Sequence, residues 1–140
     1  MHGCMPMKAR SIWIGGFKSV LDNGRTHSLV VDLPPDLGGS DQGPTALELA
    51  VMSLAGCVTT IFAIVAKKMR LDYEKLEAHV EAEKGEVTIE SVRLTLRVKT
   101  NAPPERVRVA FKRTMEICPV GVLFSRAGVK IEENVEIVSS

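Results

Sequence analysis

An α+β domain built on antiparallel sheet is what this sequence predicts, and three observations carry the prediction. Residues 92–99, Val-Arg-Leu-Thr-Leu-Arg-Val-Lys, alternate apolar and polar, which gives a strand one dry face and one wet face. Thr45-Ala46-Leu47-Glu48 is a capping box that opens a long apolar run, because the Thr hydroxyl and the Glu carboxylate can satisfy free backbone N–H groups. The remaining segments order themselves as hairpin, long helix, strand pair, two helices and a last strand.

The elements follow in chain order. Residues 9–21 read as strand, marked by Ile12, Ile14 and Val20, with a bend or bulge at Gly15-Gly16. Asp22-Asn23-Gly24 is a hairpin turn, since Asn-Gly accepts positive φ, and residues 27–32 are the returning strand. Residues 33–43 carry Pro34, Pro35, Gly38, Gly39 and Gly43 and form a loop. The main helix runs from Pro44-Thr45 to Arg70, with Lys67, Lys68 and Arg70 crowding its last turn as the helix dipole favours. At 1.5 Å per residue it is about 39 Å long. It is apolar on most sides, more than one chain of this size can bury, which points to a partner subunit. Residues 76–84 and 88–99 make a strand pair turning at Gly85. A second helix spans residues 102–116 with Val107, Val109, Ala110, Phe111 and Met115 inward, and Cys118-Pro119 starts a short third one toward Arg126. Residues 129–138 are a last strand, bulged at Glu133.

A chain of 140 residues is most simply one domain, residues 1–140, with residues 1–8 a flexible arm in which Cys4 is incidental. Eighteen basic residues against 17 acidic leave no global field for nucleic acid or an anionic membrane, and 4% aromatics leave few platforms for stacking bases. Three cysteines without a short-range pair argue against a secreted disulfide scaffold or a zinc knuckle. His2, His27 and His79 form no metal array, so no metal or other cofactor is expected, and the default compartment is a reducing cytoplasm. Residues 49–66 are uncharged, at the lower limit for a membrane span. Their small residues and the lack of Trp or Tyr at their edges read instead as a buried helix, with no membrane partner.

Cys57, inside the apolar helix, and Cys118, at a helix start, are the residues that could carry chemistry. A thiol held as thiolate is a soft nucleophile, and two thiols brought together can attack, oxidise and resolve as a disulfide. A small buried hydrophobe is the other reading of each. Local electrostatics alone nominates Cys118 as the attacker. Pro119 suits a first helical position, and the positive helix end lowers a thiol pKa, whereas Cys57 is mid-helix and needs a nearby cation.

Gly38-Gly39-Ser40-Asp41-Gln42-Gly43-Pro44-Thr45-Ala46-Leu47-Glu48-Leu49, Ala55-Gly56-Cys57 and Cys118-Pro119 together resemble the OsmC/Ohr family, the osmotically inducible and organic hydroperoxide resistance proteins, in its general OsmC-like branch. The resemblance runs from about Ile12 to Val138. It implies antiparallel sheets wrapped around a long central helix, an intertwined homodimer, and active sites at the subunit boundary. It further implies a stress-response, antioxidant activity. Cys57 attacks a hydrophobic organic hydroperoxide, Cys118 resolves the sulfenic acid as a disulfide, and a dithiol reductant such as a lipoyl protein restores both.

Two departures accompany it. The peroxidases hold the first thiolate with an arginine from the N-terminal strands; here Lys18 and Arg25, with Arg10, stand around the expected place, and Lys18 lacks the forked geometry of a guanidinium. They orient that arginine with a glutamate ten positions before the first cysteine, whereas Glu48 is nine before Cys57, about 100° away around a helix. Glu48, Lys18 and Arg25 are therefore the candidate supporting residues. The alternative function is a binding or stress-related dimer that keeps an apolar interfacial cavity and little peroxidase chemistry.

Overall fold

A computed structural model of the protein describes residues 6–140, so Cys4 and most of the expected arm lie outside the described residues. The elements are β1 (Arg10–Gly15), β2 (Lys18–Asp22), β3 (Ser28–Val31), α1 (Ala46–Met69), β4 (Lys75–Lys84), β5 (Ile89–Lys99), α2 (Pro104–Ile117), α3 (Pro119–Arg126) and β6 (Lys130–Val138). They make an α+β fold with two three-stranded sheets, β1-β2-β3 and β4-β5-β6. The chain divides into two compact units, one ending at Ala50 and one spanning Val51–Ser140.

In the first unit the segment expected as one strand is two. Gly15 (φ 113°) and Gly16 (φ 57°) occupy consecutive positive-φ positions, so the chain reverses there and β1 pairs antiparallel with β2. The Asp22-Asn23-Gly24 turn forms as expected. The Asn23 side-chain oxygen accepts the N–H groups of Arg25, Thr26 and His27 at 2.9–3.2 Å. No side chain of β1, β2 or β3 is fully buried, and Trp13 (69% exposed) and Phe17 (58%) face outward.

Helix α1 opens on the expected capping box. Thr45 N–H donates to the Glu48 carboxylate at 2.9 Å, and Glu48 N–H donates to the Thr45 hydroxyl at 3.0 Å. Leu54, Val58, Phe62, Val65 and Ala66 form its buried stripe at helical spacing. Phe62 packs edge-on against Tyr73, with ring centroids 6.0 Å apart. Met52 and Ile64 are exposed in the single chain. By length and composition α1 could cross a membrane, and 28% of its most apolar stretch is buried within the chain.

In the second unit β4 and β5 pair antiparallel as expected, but β6 runs parallel to β5, a correction to the antiparallel pairing expected of the last strand. The reason is the connection: α2 and α3 form a crossover long enough to return the chain to the end where β5 began. The β5–β6 register is unbroken from Ser91↔Lys130 to Lys99↔Val138, so the expected bulge at Glu133 does not form. Val92, Leu94, Leu96 and Val98 of β5 are buried, as the alternation predicts. In the same unit α2 buries Val107, Ala110, Phe111 and Thr114. Val109, expected inward, is two positions off that spacing and 39% exposed; Thr114 takes the inner place by donating its hydroxyl to the Ala110 carbonyl at 2.8 Å.

Candidate functional site

Cys118 stands at the junction of two helices. Its N–H closes α2 by donating to the Thr114 carbonyl at 2.8 Å, and its extended backbone (φ −66°, ψ 112°) makes it the residue that caps α3. Pro119 follows with a preset φ and no N–H to satisfy, which turns the chain sharply and directs the Cys118 side chain inward. The thiol is fully buried. Cys57 lies one residue before the buried Val58 on α1, at the edge of the buried stripe, and is partly exposed. The fold brings the two together: the Cys57 side chain lies close enough to Cys118 to help raise its pKa, and both are free thiols.

The electrostatics of Cys118 reverse the local expectation. Burial and the adjoining Cys57 push its thiol up, while the N–H groups of Gly121 and Val120 pull it down. Burial wins, and the pKa stands at about 11. Helix-end donors are present as predicted, but they are outweighed by loss of solvent. At neutral pH Cys118 is a protonated thiol, which makes it a poor attacker. A partly exposed sulfur with a buried thiol beside it can react with a solute and then close onto its neighbour.

The other candidates all fall in the unit ending at Ala50. The Glu48 carboxylate is held in the α1 cap. The Arg25 guanidinium donates to the Thr26 hydroxyl at 3.1 Å, and Arg10 pairs with Asp22 at 2.9 Å. Lys18 places its charge near Asp32, a residue that no motif in the sequence singles out. Asp32 is 2% exposed and accepts three backbone N–H bonds, from Leu33 (2.7 Å), Ser40 (3.2 Å) and Gln42 (3.1 Å). Burial opposes its ionisation, but those donors and Lys18 outweigh it and hold the carboxyl below its ordinary value. The loop closes tightly around this anchor: a Cβ on Gly39 would lie 1.9 Å from the Leu33 carbonyl oxygen, and one on Gly43 2.0 Å from that of Val30. A lone Asp directly before a Pro- and Gly-rich loop was the signal available in the sequence. Among the described residues no three His, Cys, Asp or Glu side chains gather as a metal site.

The sequence pattern of the family described as OsmC-like protein matches residues 39–134. Among curated proteins no sequence matches the chain. Several solved structures share its fold. An OsmC-like protein from Mycoplasma pneumoniae superposes with a TM-score of 0.85 at 14% identity, over 96% of this chain and 99% of that one. An organic hydroperoxide resistance protein OsmC from Legionella pneumophila gives 0.75 at 18%, over 96% and 98%. An organic hydroperoxide resistance protein from Elizabethkingia anophelis gives 0.72 at 19%, over 97% and 99%.

Proposed function

Because the chain belongs to the OsmC-like protein family, we propose that it reduces organic hydroperoxides through its two apposed cysteines, Cys57 attacking and Cys118 resolving. One observation carries this reading: a fully buried thiol, Cys118, lies against a partly exposed one, Cys57. Two proteins of the same fold, from Legionella pneumophila and Elizabethkingia anophelis, are described as organic hydroperoxide resistance proteins.

The Cys57 thiolate attacks the terminal peroxide oxygen, the O–O bond breaks, and the alkoxide takes a proton and leaves as an alcohol. Cys57 is then a sulfenic acid. The Cys118 sulfur attacks the Cys57 sulfur, and hydroxide leaves with the Cys118 proton as water, closing the disulfide. A dithiol returns two electrons and two protons and departs as its own disulfide. The raised pKa of Cys118 keeps it from competing for peroxide, since the thiolate is the nucleophile. The working form is a homodimer, supported by the apolar side chains that the single chain leaves exposed on α1 and on β1–β2. Peptide mapping after one equivalent of an alkyl hydroperoxide tests the reading. The expected product has lost two hydrogens across Cys57 and Cys118, and two free thiols after complete peroxide exposure would refute it.

A second reading, a ligand-binding or stress-related dimer with little peroxidase activity, draws on the cations. Arg10 is paired with Asp22, Arg25 donates to Thr26, and Lys18 places its charge near Asp32. Slow, unsaturable peroxide consumption together with saturable binding of an apolar ligand would favour it.

A further inference from the structure

A cavity of about 290 Å³ is lined from α2, α3 and β6, and two of its lining residues, Gly121 and Val122, stand one helical turn beyond Cys118. Its walls include Met115, Val122 and Ile131, which are apolar, and Arg126 and Glu133, which are of opposite sign. Glu133 occupies the register of the buried Leu94, a place where its neighbours along β6 on the same face are Ile131 and Val135. Gly121, one of the lining residues, adjoins the sulfur. A Cβ built there would stand 3.5 Å from the Cys118 Sγ and 3.4 Å from the Met115 Cε, both ordinary contacts. A methyl group would therefore fit between Gly121 and the buried thiol, beside the flexible end of a methionine.

Position relative to α1 gives this space its meaning. The cavity is lined from α2, α3 and β6, and none of its lining residues comes from α1, the helix that carries Cys57. Displacement at a disulfide sulfur proceeds in line, with the incoming thiolate opposite the sulfur that leaves. We propose that the cavity is the entry for the reducing thiol, which attacks the Sγ of Cys118 and expels Cys57. The proposal rests on the function proposed for this pair, in which a Cys57–Cys118 disulfide forms.

The incoming thiol loses its proton to solvent, and its sulfur bonds to the Cys118 Sγ as the bond to the Cys57 Sγ breaks. Cys57 leaves as thiolate with the electron pair and takes up a proton. The second thiol of the reductant, deprotonated in turn, attacks the reductant sulfur of the mixed disulfide. Cys118 is released and protonated, and the reductant leaves as an intramolecular disulfide. The high pKa of Cys118 suits this order, because attack at its sulfur spares it the role of first leaving group. One acid and one base leave the cavity without net charge, and its apolar walls fit a short aliphatic dithiol better than an anionic peptide thiol.

The test closes the disulfide with diamide, which makes it independent of peroxidase activity. The oxidised protein is then treated with 2-mercaptoethanol, a monothiol that stalls at the mixed disulfide, quenched with N-ethylmaleimide and mapped by peptide mass. The expected product carries mercaptoethanol on Cys118 and maleimide on Cys57; the reverse assignment overturns the proposal. In a second measurement Gly121→Ala, which fills the methyl-sized space, slows reduction of the disulfide by dihydrolipoamide by about tenfold, the scale of a misplaced approach. An unchanged rate in a variant with an unaltered circular-dichroism spectrum overturns it as well. If peroxide fails to close the disulfide but diamide succeeds, the proposed function falls and the route is still decided. If diamide also fails, both fall.

Discussion

Cys118 is fully buried at the α2–α3 junction with its thiol against Cys57, the partly exposed cysteine of α1. Burial and that neighbour raise the Cys118 pKa from 9.0 to about 11. In the native protein the thiol therefore keeps its proton at a pH where the unfolded chain has lost it. A raised folded-state pKa means the associated stability is fully present below pH 9 and is lost as pH rises through about 11. The loss is on the order of 1–3 kcal/mol, from about 1.4 kcal/mol per pKa unit. Urea titrations of the reduced protein at pH 8.5 and 11, compared with Cys118→Ala, isolate this contribution from other groups that titrate there. The wild type is expected to lose more stability than the variant across that range, and equal losses would contradict the assignment.

The loop that precedes α1 depends on Asp32. Substitution by Ala leaves the N–H groups of Leu33, Ser40 and Gln42 without their acceptor in a buried place. It is expected to lower the urea midpoint and to open residues 38–43 to proteolysis. The Asp32 carboxyl titrates below its ordinary value, so its stabilisation is present above pH 3.8 and disappears as the pH falls through the lower folded-state pKa. Asp32→Asn is expected to remove that acid-limb dependence. Gly39→Ala attacks the same loop sterically, with a Cβ 1.9 Å from the Leu33 carbonyl oxygen, at a cost of about 1–3 kcal/mol.

Local periodicity made most of the elements legible. The Thr45–Glu48 cap, the alternation of β5 and the break at Cys118-Pro119 each act within a few residues, and each is found where the sequence places it. What escaped depends on distant partners. The direction of β6 is set by the path of α2 and α3, not by residues 130–138 themselves. The acidity of Cys118 is set by burial and by Cys57 of α1, which no helix-end argument contains. Asp32 looked like the end of a strand because its three donors lie in the loop beyond it. The apposition of Cys57 and Cys118 joins residues 61 positions apart, and only the family resemblance anticipated it.

The proposed homodimer makes a prediction on α1. Met52 is 55% exposed and Ile64 45% exposed in the single chain, large apolar side chains that a partner would cover. Sedimentation equilibrium without detergent is expected to give twice the chain mass for the wild type. Met52→Glu and Ile64→Glu, which force a charge into that seam, are expected to shift the population toward one chain mass by about 2 kcal/mol or more of lost association. A wild type that sediments as a single chain would remove the dimer from the proposal.

The two thiols have different assigned tasks, so their removal is expected to leave different traces. Cys57→Ser should abolish saturable peroxide turnover, a fall of roughly a thousandfold or more, because no other group in the proposed cycle attacks the O–O bond. Cys118→Ser should still consume one equivalent of hydroperoxide, at a rate set by Cys57, and then stop. The stalled species is a Cys57 sulfenic acid, read as a dimedone adduct on that peptide. In the wild type the same adduct should be scarce, because the neighbouring Cys118 captures the sulfenic sulfur first. If dimedone instead marks Cys118 in Cys57→Ser at the wild-type rate, the order of attack is reversed. That outcome would also require the buried thiol to ionise near neutral pH, against the burial that raises it to about 11.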